Sequence, residues 1–224
     1  NEAELSDLSL KGLPSKTLST LFPIKEGPEG LNNALRRLCN DTESAIRNGS
    51  QIIVLSDRGV SAEETYIPPL LAIGTVHHHL LKQELRLNAS LVIDTAQCWS
   101  THHIACLIGY GASAVCPWLT WETTRHWWHN AKVQKQMESG KISSLDIEAS
   151  QENLRKALED GLRKILSKIG ISLLSSYHGA QIFEAIGIGA DLINMAFKGT
   201  TSRVAGLSLL DLANETLSFH AKAF

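Results

Sequence analysis

Three stretches of this chain share one order: a short apolar run, then polar residues, then an apolar segment with helical spacing. They are Ile52 to Leu55 followed by Ser56, Asp57, Arg58 and Gly59; Leu91 to Ile93 followed by Asp94, Thr95, Ala96 and Gln97; and Ile171 to Leu174 followed by Ser175, Ser176, Tyr177 and His178. Each opening run has the length and composition of a buried strand. Strands alternating with helices imply parallel βα units, because parallel neighbours need a crossover connection. In such folds the loops leaving the carboxyl ends of the strands are where function usually sits.

The remaining elements fill in around this repeat. Residues 1–28 carry Pro14, Pro23 and Pro28 and read as an irregular arm, which with one following helix forms a leading segment over 1–50. That helix starts at Glu29, shows Leu31, Leu35, Leu38, Ala45 and Ile46 near 3.6-residue spacing, and stops at Gly49. That segment leads into the (βα) domain itself, expected over 51–224. Within it, Pro68 and Pro69 open a helix that runs to about Arg86, proline being tolerated in a first turn. Ser90 to Asp94 is the second strand, a short helix begins near His102, and Ser113 to Cys116 is the third strand. Residues 136–150 read as a loop, and Ser150 as the cap of an amphipathic helix carrying Leu154, Leu158, Leu162, Ile165, Leu166 and Ile169, ended by Gly170. A helix is expected after Gly179, a last strand over Leu192 to Phe197, and a closing helix from Ser208 to about Ala221. The count is about five strands with interleaved helices. A complete (β/α)8 barrel takes roughly 250 residues, so the expectation is an incomplete TIM-barrel-like α/β domain, a fragment of one, or an open parallel sheet.

Composition narrows the function classes. A net charge of −2 leaves no footprint for nucleic acid or an anionic membrane, and no apolar run approaches the roughly 20 residues that cross a bilayer. The opening residues lack a basic region before an apolar core, so no signal peptide is expected; the absence of an initiator Met suggests a processed or excised piece. Cys39, Cys98, Cys106 and Cys116 form no CxxC pair and read as reduced, buried thiols. His77, His78 and His79 lie inside a helix, where consecutive positions are about 100° apart, so they cannot converge on one metal. His126 and His129 share a helix face without a third ligand and read as surface histidines. All five tryptophans fall between Trp99 and Trp128, and read as domain-interface packing rather than a stacking platform.

Two loop sets remain as possible chemistry. Asp57, Arg58, Asp94, Gln97, Tyr177 and His178 leave the strands on what would be one rim, and a carboxylate, a base and a guanidinium there would suit acid/base work on a small anion. The same residues can equally cap helices or pair with one another. Gly199 to Arg203 could cradle a phosphate, although it is no Walker motif and reads as well as a turn. No nucleophile elbow, dinucleotide fingerprint or zinc motif is present.

The stretches SDRG with IPPLLAIGTVHHHL, then DTAQCWSTHHIACLIGYGASAVCPWL, then GISLLSSYHGAQIFEAIGIGADL resemble the central domain of glutamate synthases over residues 50–224, most of all the ferredoxin-dependent branch of cyanobacteria and plastids. The resemblance implies a parent protein that makes L-glutamate from L-glutamine and 2-oxoglutarate. That parent combines an amidotransferase domain, this central domain, an FMN-binding barrel and a β-helix, with reduced ferredoxin, or NAD(P)H in a sister branch, as donor. Ammonia passes through an internal tunnel to the flavin, and a [3Fe-4S] cluster relays electrons. Both cofactors are implied for other domains. The implied location is the cyanobacterial cytoplasm or the plastid stroma. The chain begins with Asn1 rather than a catalytic Cys, and its cysteines do not match the cluster spacing, so no catalytic, cofactor or metal residue is carried over. The resemblance implies a non-catalytic domain that links the amidotransferase and FMN domains. The rival expectation is an independent α/β enzyme using Asp57, Asp94 and His178.

Overall fold

The computed structural model of the protein describes residues 12–224. Two of the expected strands form the centre of its main sheet. β3 (Ile52–Ser56) pairs in parallel with β5 (Ser90–Asp94), Ile52 lying opposite Ser90 and Ser56 opposite Asp94. β6 (Ala114–Cys116) extends the sheet beside β5, as its sequence position anticipates. The other neighbour is a surprise. β1 (Ser15–Ser19) lies parallel to β3, and β2 (Leu21–Pro23) pairs antiparallel with β4 (Glu64–Tyr66), so residues 15–23 are not irregular. The rest of the expected arm, residues 1–11, lies outside the described residues.

The sheet order is β1-β3-β5-β6, all parallel, with helical crossovers. α1 (Glu29–Arg47) buries Leu31, Leu35, Leu38 and Ile46 on one stripe. α2 (Pro69–Lys82) begins with proline at a first-turn position and buries Leu71, Ile73, Val76 and Leu80. With Phe22, Ile53, Leu55, Leu91 and Ile93 these residues make one contiguous core. Parallel strands carry apolar residues on both faces because helices cover both, which is why β3 and β5 stand out as unbroken apolar runs.

α3 (Thr101–Gly109) is capped by the Ser100 hydroxyl, which accepts from the His103 N–H. It packs on α6 (Ile147–Ile169), reached through α4 (Trp118–Trp128) and α5 (Ala131–Glu138). The cap of α6 is Asp146, whose carboxylate accepts from the Ala149 N–H at 2.7 Å; Ser150 sits one turn inside and donates to the Asp146 carbonyl at 2.9 Å. Gly170 ends α6 in the left-handed region, as expected.

The chain beyond Gly170 departs most from expectation. Ile171 to Leu174 is not a strand: the Ile171 N–H turns back to the Leu166 carbonyl at 3.0 Å, Leu173 is extended, and Leu174 opens the one-turn α7 (Leu174–Tyr177). Tyr177 is fully buried beside Ala105, Ile108 and Leu166, and its hydroxyl donates to the Ala105 carbonyl at 3.0 Å. That anchor fixes the turn, where a four-residue apolar run alone cannot separate helix from strand. The expected helix after Gly179 is instead β7 (Glu184–Ile188), Gln181 having a positive φ of 53° that breaks any helix there. The expected strand over Leu192 to Phe197 is the short helix α8 (Ala190–Ala196). β8 (Thr201–Leu207) pairs in parallel with β7, and α9 (Leu209–Ala223) follows, capped by Ser208 in a reciprocal capping box with Asp211.

α8 packs so closely on α2 that a Cβ at Gly74 would press into the Ala196 carbonyl. In an open helix a Gly→Ala change gains about 1 kcal/mol; here the obstruction is backbone and cannot rotate away. Gly74→Ala should therefore destabilise by about 1–3 kcal/mol. A urea midpoint that rises in the variant would show that α2 and α8 do not meet as described.

Candidate functional site

The carboxyl ends of β3, β5 and β6 converge on two carboxylates. Asp57 follows β3 and is only 2% exposed. The Thr95 hydroxyl donates to its Oδ2 at 2.5 Å, the Ala96 N–H donates to both oxygens at 3.0 Å, and the Trp118 indole N–H donates to Oδ1 at 2.7 Å. Burial pushes the Asp57 carboxyl above its ordinary value; the bonds from Thr95, Trp118 and Ala96 act in the opposite direction. Asp94, the last residue of β5, accepts from the Ser56 hydroxyl at 2.8 Å and from the Arg58 guanidinium at 2.7 and 3.2 Å. Arg58 also lies 5.0 Å over the Trp118 ring.

Asp57 borders a cleft of about 530 Å³ lined by Tyr66, Gln97, Trp99, Trp118 and Phe219. The tryptophans therefore divide. Trp118 serves Asp57, Trp121 packs beside Leu158 and Leu162 of α6, and the Trp128 indole donates to the Leu145 carbonyl at 2.7 Å. Trp99 and Trp127 remain 63% and 45% exposed. His126 and His129 are exposed, as expected of surface residues. The contribution of Phe219 from α9 was invisible in sequence, since it depends on where the final helix returns.

His178 does not join this rim. Its Nε2 lies 2.9 Å from the Gly111 carbonyl, which places it at the amino end of β6; the contact to an acceptor puts the proton on Nε2. Between Ala89, just before β5, and Asp94 the strand rises about 16 Å, so Asp57, Asp94 and His178 cannot serve one substrate atom. The expected three-residue site is corrected to a carboxylate pair at one pole and a histidine at the other. Tyr177, buried in α7, is absent from the rim as well.

The second pole is organised by Arg86, which sequence reasoning passed over. Its guanidinium is buried and donates to His77 Nδ1 at 2.9 Å, the Ala89 carbonyl at 2.9 Å and the Gly111 carbonyl at 2.8 Å. His77 and His78 are both buried, while His79 pairs with Glu43 at 2.9 Å. Burial, then the charges of Arg86, His78 and His178, lowers His77 from 6.5 to about 3. His77 is thus a neutral acceptor for Arg86 and no general base near neutral pH.

The expected phosphate cradle does not close. Thr200 is buried with its hydroxyl 2.7 Å from the Tyr110 hydroxyl, whereas Thr201, Ser202 and Arg203 run along the exposed strand β8. Gly199 sits in a turn, in line with the alternative reading. The four cysteines are free thiols, burial raising Cys98 to about 12 and Cys39, Cys106 and Cys116 to about 11. Among the described residues no group of three or more His, Cys, Asp or Glu is placed to hold a metal ion, and no helix is long and apolar enough to cross a membrane.

Two outcomes follow from these geometries. Asp57→Asn presents one acceptor where three donors converge, and should cost about 1–3 kcal/mol in chemical denaturation; an unchanged midpoint would mean the network does not hold the rim. For His77 the folded value lies below the ordinary one, so its contribution is present above pH 6.5 and lost as the pH falls toward 3. The native protein should lose stability over that window faster than His77→Gln, and parallel losses would remove His77 as the cause.

A family model described as the glutamate synthase central domain matches residues 1–189. The chain is 52% identical over 226 residues to the ferredoxin-dependent glutamate synthase of Pyropia yezoensis, covering 100% of this chain and 15% of that protein. It is 52% identical over 228 residues to ferredoxin-dependent glutamate synthase 2 of Synechocystis sp., again covering 100% and 15%. For ferredoxin-dependent glutamate synthase 1 of Arabidopsis thaliana, chloroplastic/mitochondrial, the identity is 54% over 228 residues, covering 100% and 14%. The chain thus spans about 15% of the length of the curated relatives it matches. On the strength of a family match over most of its length, the chain belongs to the glutamate synthase central domain family.

Proposed function

We propose that this chain is the connecting domain of a ferredoxin-dependent glutamate synthase, a parent enzyme that makes L-glutamate from L-glutamine and 2-oxoglutarate with reduced ferredoxin. It links the amidotransferase and FMN-binding domains of the same polypeptide, borders the ammonia tunnel, and performs no chemistry itself. The observation that carries this reading is the engagement of both rim carboxylates. Asp57 takes bonds from Thr95, Ala96 and Trp118, and Asp94 takes bonds from Ser56 and Arg58. A general base needs a lone pair free to meet a substrate proton, and these oxygens instead hold loops together. The relatives' names favour ferredoxin over NAD(P)H as donor, and the chloroplastic and cyanobacterial ones favour plastid stroma or cyanobacterial cytoplasm. Four parallel strands joined by helices support kinship with an incomplete TIM-type barrel of the FMN-linked kind.

Among the described residues, the strand exits and the cysteines do not suit FMN or a [3Fe-4S] cluster. A flavin phosphate needs free N–H donors, but at the strand exits the Ala96 N–H serves Asp57 and the Arg58 guanidinium serves Asp94. A cluster needs convergent cysteines, and the described residues bring no such set together. Both groups belong to other domains of the parent in this reading.

Trp99 and Trp127 are the aromatic surface offered to a neighbouring domain. In the intact parent, replacing both with Ala should leave glutamine hydrolysis and ammonia-dependent glutamate formation in place. Glutamine-dependent glutamate formation should fall on the order of tenfold, about 1.4 kcal/mol of lost coupling. Equal loss of all three activities in a variant whose unfolding midpoint is unchanged would point to chemistry within this domain, and would overturn the connecting role.

A further inference from the structure

The ribbon formed by β7 and β8 lacks the cover that parallel strands normally have. All seven residues of β8, Thr201–Leu207, are exposed. Successive side chains of a strand alternate between faces, so an unbroken exposed run leaves both faces open. Among the described residues β8 pairs only with β7, and its other edge presents unpaired N–H and C=O groups. Apolar side chains line the same region: Ile186 is 71% exposed and Val204 54%, with Ile182, Leu207 and Leu210 also exposed. Parallel sheets occur almost entirely with both faces buried, and an isolated two-stranded ribbon is marginal in water. β8 also carries neither Pro nor Lys, the usual guards of a free edge.

We infer that the free edge of β8 accepts an extended strand from the remainder of the parent polypeptide, whose apolar side chains cover Ile186 and Val204. This rests on the reading of the chain as one part of a longer parent. Two observations select this occupant. The family model's match ends at Gly189, between β7 and β8, so the outer strand of the ribbon lies beyond the matched residues. The relatives also match this chain along its whole length, which is only 15% of their own. Polypeptide tethered beside the edge meets it at an effective concentration in the millimolar range, which a second copy does not reach.

Residue-resolved amide hydrogen exchange on the intact parent tests this, with an unstructured peptide of the same sequence as the rate reference. The expected result is slowing of at least about 100-fold across residues 201–207, including the amides that face away from β7. In the parent, Val204→Asp should accelerate exchange there while leaving residues 52–56 of β3 protected. Outward-facing amides exchanging at the peptide's rate would overturn the inference. So would protection that appears only as concentration rises, because a second copy would then be the occupant. The readout is independent of coupling between activities, so an open β8 edge in a parent that still channels ammonia would sink this inference and leave the connecting role standing.

Discussion

The Asp57 carboxylate holds the carboxyl ends of three strands in one arrangement. It follows β3, receives Thr95 and Ala96 from the loop after β5, and receives Trp118 from the helix after β6. Burying a carboxylate is costly unless its lone pairs are met, and here donors from two different crossovers meet them. Asp94 repeats the device one strand over, drawing in Ser56 and Arg58. The loops that would be free to bind a substrate in an enzyme of this architecture are thereby tied to each other. What the cleft still offers to its surroundings is aromatic surface from Trp99 and Phe219, suited to packing against protein.

Arg86 performs the corresponding task at the amino ends. A buried guanidinium without a carboxylate is stable only if its N–H groups find acceptors, and the Ala89 and Gly111 carbonyls and His77 supply them. Gly111 also receives His178, so the segment beyond α6 is pinned to the sheet's lower pole through one carbonyl. Tyr177 completes that attachment through the Ala105 carbonyl. The domain is therefore fixed at both ends of its strands, by an acidic knot at one and a basic knot at the other. Such bracing at both poles is consistent with the connecting role proposed for the domain.

Where local pattern and burial agreed, the chain was legible. β3 and β5 are runs whose apolar character follows from burial, and β6 is a short edge run beside them; α1 and α6 carry one apolar stripe each, and α2 is buried almost all round over a length that excludes a strand. Elements decided by contacts distant in sequence misled. The residues Ile171 to Leu174 and Leu192 to Phe197 are short apolar runs compatible with either state, and β7 owes its existence to β8 rather than to its own composition. β1 was hidden for the same reason: Ser15–Ser19 has little apolar content and is a strand because β3 offers it an edge. At the rim, Asp57 and Asp94 meet as their strand exits imply, whereas placing His178 there requires Ile171 to Leu174 to be a strand, which it is not.

The sequence by itself determined the family, the alternation of strand and helix through the first half, and the residue types available at each strand exit. Those are properties of local periodicity and of motif order, which a linear string carries in full. Only the tertiary structure decided what the polar residues do. Whether a carboxylate is a base or a knot depends on which donors reach it, and those donors come from loops 38 to 61 positions away. Whether a histidine joins a site depends on which end of a strand it meets, and no spacing along the chain records that distance.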